Sequence, residues 1–169
     1  MNEKQRIEQA TAIGFLGVYN RSEGADFKII ELRDAPDIVC SDSKGNKMNL
    51  EITLTEDRYG DIQDSLGRSD QRSVENLSAH LAEVKSGKAD LRFGSLGNAL
   101  SKAATQIGKK LLNRYAANTA LVVRDTSGVD WDWDCAVDEL CNRLNILKNP
   151  FDKGIWIINN TKTKIYRII

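Results

Sequence analysis

Apolar residues recur along the chain in two different periods, and these periods predict where helices and strands lie. Residues 3–19 show helical spacing and predict an amphipathic helix. Its predicted apolar side comprises Ile7, Ala10, Ile13 or Gly14, and Phe15 through Val18. Three short strand-like runs follow at residues 27–32, 37–42 and 47–54. Because the sequence "SKGN" favours a tight turn between the second and third runs, we expect these two to form an antiparallel hairpin.

The rest of the chain predicts further helices and strands around a polar insertion. Residues 56–94 are polar and glycine-spotted, with one helical segment, and their apolar content is too small for a core of their own. The other predicted elements are that segment at 70–85, a helix at 95–115 with Ser95 as cap, a buried strand at 119–125, a helix at 134–147 capped by Asp134, and a closing hairpin from residue 154 onward. This order predicts a single α/β domain over residues 1–169, with a central mixed β-sheet flanked by helices.

Composition narrows the class of protein. The 169 residues are 41% hydrophobic and 28% charged, which is typical of a soluble globular domain. No apolar run approaches the roughly 20 residues needed to span a bilayer, and no signal peptide is visible, so we expect a cytoplasmic protein that does not engage a membrane. The three cysteines lack metal-site spacing and are expected to be reduced thiols. Because the net charge is zero, nucleic-acid binding would require a local basic patch.

Two carboxylates on either side of the predicted hairpin turn are the main candidates for chemistry. Asp37 follows a proline at the start of the second run, and Glu51 lies within the third run on the face opposite the apolar side chains. Neighbouring carboxylates repel each other unless a cation lies between them. Mg2+ prefers such oxygen ligands and also bridges to phosphate oxygens, and the backbone carbonyl of Ile52 offers one more oxygen. The alternatives are that Asp37 caps a turn amide and that Glu51 faces solvent on a half-exposed strand.

These residues resemble the motif of a nuclease superfamily. "PD", followed by a hairpin and "LEIT", looks like the PD-(D/E)xK nuclease superfamily, and the predicted element order over about residues 1–125 is similar to its restriction-endonuclease-like core. The resemblance implies an endonuclease that hydrolyses phosphodiester bonds in DNA with Mg2+ or Mn2+. It implies Asp37 and Glu51 as metal ligands, with Glu8 ahead of Glu3 as a third from the first helix. It also implies a homodimer that places two sites across a duplex.

The chain departs from this motif at Thr53, where the superfamily usually carries a lysine. Some members carry that lysine on the following helix. Helical spacing there leaves Lys102 and Lys109 pointing away from the apolar stripe, whereas Lys110 lies at its edge with Gln106 one turn earlier. We therefore predict that Lys110 orients or activates the attacking water and that Gln106 supports it. The alternative for Lys110 is a solvated helix face.

Other classes of function stay open at this point. The threonine at position 53 favours a catalytically inactive nuclease-fold module that binds nucleic acid or a protein. A third hypothesis is an immunity or regulatory protein whose acids form no shared site. A serine or cysteine mechanism would depend on His80, the only histidine, and no nucleophile elbow is visible. No glycine-rich phosphate loop or dinucleotide fingerprint appears, so no organic cofactor is expected.

Basic residues in the predicted insertion are candidates for contacts with backbone phosphates. They are Arg58, Arg68, Arg72, Lys85, Lys88 and Arg92. Because acids are interspersed among them, a solvated segment of mixed charge is the default expectation.

Overall fold

The computed structural model describes residues 2–55, 96–127, 130–144 and 148–169. Its helices are α1 (Glu3–Glu23), α2 (Leu96–Leu111) and α3 (Val137–Leu144), the last preceded by a 3-10 turn at Trp133–Cys135. Its strands are β1 (Lys28–Leu32), β2 (Ile38–Ser41), β3 (Lys47–Leu54), β4 (Thr119–Arg124), β5 (Ile155–Ile158) and β6 (Ile165–Arg167). The predicted insertion at 56–94, its helix at 70–85, the cap Ser95, His80 and the basic residues between 58 and 92 lie outside the described residues.

The strands form one six-stranded sheet in the order β1-β2-β3-β4-β5-β6. β1, β2 and β3 pair antiparallel, β3, β4 and β5 pair parallel, and β6 returns antiparallel to β5. The two parallel connections contain α2 and α3, because parallel neighbours need a long crossover that is usually helical. The fold is therefore α/β with a mixed sheet flanked by helices, as the pattern predicted.

Helices cover both faces of the sheet, so the hydrophobic core consists of two clusters, one on each face. On one face, α1 packs through Phe15 and Leu16 against side chains of β2, β3, β4 and β5. On the other face, α2 and α3 pack against the alternate side chains of β4 and β5, including Leu121 and Ile155. Because successive strand residues point to opposite faces, β3 sends Met48, Leu50 and Ile52 toward α1 and Glu51 toward α2.

The inner face of α1 differs from the predicted one. Ile13, placed on the apolar side by the sequence pattern, is 60% exposed, and the buried residues include the polar Glu8 and Thr11. The Thr11 hydroxyl donates a hydrogen bond to the carbonyl oxygen of Ile7 at 2.8 Å, so a polar residue is tolerated at this buried position. The helix also continues past residue 19 until Gly24 adopts a left-handed conformation, φ 63°, and caps it.

The start of the last helical region also differs. Asp132, rather than the predicted Asp134, is the N-cap, and its carboxylate accepts a hydrogen bond from the Asp134 backbone N–H at 3.2 Å. The chain first makes a 3-10 turn, in which Trp133 is fully buried, and only then enters α3. None of the described helices is long and apolar enough to cross a membrane.

Candidate active site

The site forms where β3 extends beyond its antiparallel neighbour. Ile38, the first residue of β2, pairs with Leu50, so β3 continues past that pair without a partner on this side. Asp37 occupies the vacant place: its Oδ2 accepts a hydrogen bond from the backbone N–H of Ile52 at 2.8 Å. Asp37 thus binds a backbone amide, as the alternative for this residue supposed, but the amide belongs to the neighbouring strand rather than to a turn. The contact brings Asp37 next to Glu51.

Glu51 is buried and paired with a lysine. Only 8% of the residue is exposed, so the alternative of a solvent-facing strand position is wrong. Its Oε1 accepts a hydrogen bond from Lys110 Nζ at 2.6 Å. Burial lowers the pKa of Lys110, but the hydrogen bond and the charge of Glu51 outweigh that effect and raise the pKa overall. Lys110 is therefore held as a cation against Glu51.

The remaining candidates on α2 fall where helical spacing placed them. Lys102 and Lys109 are exposed, and Gln106 is buried one turn before Lys110. Within the residues that the structure describes, Gln106 makes no hydrogen bond to either acid, so its supporting role stays a prediction. Thr53 is half-buried two residues after Glu51 and shares its face of β3. Lys110 therefore approaches Glu51 from the helix packed over that face.

The first helix contributes both an acid and a lysine. Glu8 is buried on α1, and its Oε1 lies 3.1 Å from Lys4 Nζ. The same ammonium lies 3.8 Å from Asp37 Oδ1, so Lys4 is shared between the two acids. Lys4 was not among the residues predicted for the site. The only signal for it was its position four residues before Glu8, which puts both side chains on one side of a helix.

Burial, reinforced by the negative charges of neighbouring acids, raises the pKa values of Asp37 and Glu8. Burial raises the pKa of Asp37 to about 6, opposed by the Ile52 hydrogen bond and reinforced by the negative charges of Glu51 and Glu8. Burial also raises the pKa of Glu8, against the effect of Lys4. With all five groups ionised, three carboxylates face two ammoniums, which leaves one negative charge in excess. Such a site attracts a further cation.

The oxygen donors at this place suit a hard divalent cation. Asp37 and Glu51 offer carboxylate oxygens. The amide and the carbonyl of a strand residue point to the same side, so the Ile52 carbonyl faces the side on which the Ile52 amide donates to Asp37. Among the described residues, no three acidic, cysteine or histidine side chains converge as a ready metal-binding group. Mg2+ accepts such a partial set, because it binds through one or two carboxylates and fills its shell with waters and substrate phosphates. Glu8 as a third ligand stays a prediction.

Tyr115 is a second residue near the site that sequence analysis did not single out. It follows α2, and its ring packs against Phe151 with centroids 4.4 Å apart. Burial raises the pKa of its hydroxyl, and the charges of Glu51 and Asp37 add to the effect. No motif marks a lone tyrosine after a helix, so the sequence carried no signal for it.

Another buried polar group, beyond the end of β4, is structural. Asp125 is fully buried and accepts hydrogen bonds from the Trp133 indole N–H at 3.0 Å and from the Ser127 backbone N–H at 2.9 Å. Nearby, Thr55 and Thr126 join the ends of β3 and β4 through their hydroxyls at 3.1 Å. Because these groups satisfy one another, they stabilise the strand ends.

Comparisons with protein-family models, with curated proteins and with solved structures found no match for this chain.

The raised pKa of Asp37 predicts a pH-dependent stability for the metal-free protein. Its folded pKa of about 6 lies above the ordinary value, so the folded state holds a proton that the unfolded state releases as the pH rises. Relative to Asp37→Asn, the wild type should lose up to about 3 kcal/mol of unfolding free energy between about pH 4 and pH 6, and not regain it above. The asparagine oxygen can still accept the Ile52 hydrogen bond.

Urea denaturation of both proteins across this pH range measures the effect. Taking the difference between wild type and Asp37→Asn removes the contribution of Glu8, whose pKa is raised in the same direction. A difference that does not change with pH would show that the Asp37 carboxyl is not perturbed in the folded protein.

Proposed function

We propose that the protein is a divalent-cation-dependent nuclease that hydrolyses phosphodiester bonds in DNA. The observation that carries this proposal is the 2.6 Å contact between Lys110 Nζ and Glu51 Oε1, next to Asp37, which directly precedes the adjoining strand β2. Two acids and a lysine are the groups that the nuclease motif requires. The lysine missing at Thr53 is supplied by α2, which packs over the same face of the sheet.

In this proposal, some residues of the site bind the cation and others stabilise the charge of the reacting phosphate. Asp37, Glu51 and the Ile52 carbonyl would hold Mg2+ or Mn2+. That ion would act as a Lewis acid and lower the pKa of a bound water. Lys110 orients the attacking water and stabilises the negative charge that develops on the phosphate. Glu8 adds negative potential that favours the cation, and Gln106 lines the same side of α2.

The topology supports a restriction-endonuclease-like fold as part of this proposal. A helix, an antiparallel three-stranded unit, a second helix and a parallel strand follow one another as α1, β1–β3, α2 and β4. This is the element order that the sequence resemblance implies. A homodimer with two sites across a duplex extends the same proposal.

A second candidate is a catalytically inactive module of the same fold that binds nucleic acid or a protein. One observation favours it: each motif acid already has a lysine partner, Lys110 for Glu51 and Lys4 for Asp37. Such pairs can balance most of the buried negative charge without any cation. The two candidates differ in whether a divalent cation changes the behaviour of the protein.

Cleavage assays decide between them. Linear, nicked and single-stranded DNA and RNA are incubated with the protein in Mg2+, in Mn2+ and in a chelator. We expect cation-dependent cleavage of DNA, reduced by about 10²–10³-fold in Glu51→Gln, because losing one charged ligand costs several kcal/mol of charge stabilisation. Glu31→Gln is the matched control, since Glu31 is an exposed strand glutamate on β1.

The possible outcomes test the nuclease activity and the assignment of its site separately. If no substrate is cut under any condition, the inactive module is the better account. If Glu51→Gln cuts as fast as Glu31→Gln, the protein is a nuclease but its site lies elsewhere.

A further inference from the structure

Lys4 occupies an unusual position for an exposed residue. Its side chain is 71% exposed, yet its ammonium is directed at two buried carboxylates, Glu8 at 3.1 Å and Asp37 at 3.8 Å. A lysine ammonium carries three donor N–H groups, so contacts with these two acids leave it able to bind a further anion. Lys4 is therefore a cation at the solvent side of the site that can also contact a ligand.

Lys4 and Lys110 reach the acids from opposite sides of the sheet. α1 packs on one face and α2 on the other, and the two ammoniums meet the acids beside the unpartnered part of β3. A phosphodiester at this place would have Lys110 on one side and Lys4 on the other. The side of Lys4 is open to solvent, from which a nucleic-acid strand must approach.

We propose that Lys4 binds a backbone phosphate of the nucleic-acid substrate beside Asp37. This inference rests on the proposed nuclease function and assigns that site a second substrate-contacting cation. A divalent cation on Asp37 and Glu51 would take over the negative charge of Asp37 that Lys4 helps to balance, while Lys4 keeps its closer contact with Glu8. The ammonium carries three donor N–H groups on a long flexible stem, so a donor released from Asp37 can bind a phosphate oxygen.

A purely structural role for Lys4 makes different predictions. If Lys4 only neutralised Glu8, replacing it would change the stability of α1 but not the number of ions released when nucleic acid binds. A phosphate contact, in contrast, steepens the salt dependence of binding, because each neutralised phosphate releases condensed counterions, so removing the contact makes the slope shallower.

The test measures binding of a labelled DNA duplex, and of its single strand, by fluorescence anisotropy over a series of salt concentrations. The binding assay uses Ca2+ in place of Mg2+, because Ca2+ also binds through oxygen ligands. For Lys4→Gln the slope of log K against log salt should become shallower by about 0.9 for the duplex or about 0.7 for the single strand. Lys4→Arg should keep the wild-type slope, and thermal melting confirms that each variant is folded.

Arg6→Gln is the matched control. It removes the same charge from the same helix, but two residues along, which is about 200° around the helix axis. Arg6 is exposed, and we expect a wild-type slope. The proposal is overturned if Lys4→Gln keeps the wild-type slope, or if Arg6→Gln lowers it equally, while the wild type still cleaves DNA. A wild type that neither binds nor cleaves nucleic acid overturns the nuclease function and this inference together.

Discussion

Replacing Lys110 by methionine should reduce cation-dependent cleavage by about 10³-fold, the largest effect on activity that we expect from one substitution. Methionine keeps the length and apolar stem of the side chain but removes the charge that lies 2.6 Å from Glu51. Single-turnover cleavage at saturating cation measures the effect. Lys109→Met, the exposed neighbour on the same helix, should cleave at nearly the wild-type rate.

The same substitution should also cost stability. Without Lys110 the buried Glu51 loses its charged donor, and we expect a loss of about 1–3 kcal/mol in unfolding free energy. Activity is therefore measured well below the midpoint of thermal unfolding. Equal cleavage rates for Lys110→Met and Lys109→Met would exclude Lys110 from the chemistry and leave it only a structural role as the charged partner of Glu51.

Replacing Trp133 by alanine should lower the unfolding free energy by about 3–5 kcal/mol, the largest stability effect in the described core. Trp133 is fully buried between the sheet and the helices, and its indole N–H donates to Asp125 Oδ2 at 3.0 Å. Alanine both opens a cavity and removes a donor from a fully buried carboxylate. Urea denaturation monitored by far-UV circular dichroism measures the change.

Two further variants separate these contributions. Trp133→Phe fills most of the volume but lacks the N–H, so its loss should be smaller than that of the alanine variant. Trp131→Ala removes the other tryptophan of "WDWD", which is partly rather than fully buried, and should cost clearly less unfolding free energy. Similar losses at positions 131 and 133 would contradict the packing described for Trp133.

Local patterns predicted most of the described elements. The strict alternation of β3 placed Met48, Leu50 and Ile52 on one face, and the structure buries these three against α1. The hairpin between β2 and β3 pairs antiparallel as the "SKGN" turn predicted. Helical spacing likewise distinguished Lys110 from the exposed Lys102 and Lys109. In each case the signal lies within a few residues of the chain.

What the sequence could not predict depends on contacts between distant segments. The exposure of Ile13 and the burial of Glu8 follow from which side of α1 meets the sheet, and several faces of that helix are apolar enough to serve. Lys4, on α1, comes within 3.8 Å of Asp37, next to the start of β2, only in the folded arrangement of these distant segments. Asp125 is buried because Trp133 folds back onto β4. The sequence "WDWD" alone does not indicate whether its tryptophans point toward the sheet or toward solvent.

The central claim is that Asp37 and Glu51 together hold a divalent cation. Mn2+ binding, followed by electron paramagnetic resonance of the free ion, tests it without assuming any substrate. The wild type should bind Mn2+ at a site that Mg2+ competes for, and Asp37→Asn should bind it at least about tenfold more weakly, since a charged ligand becomes neutral. Unchanged Mn2+ binding by Asp37→Asn, or no binding by the wild type, would contradict the claim.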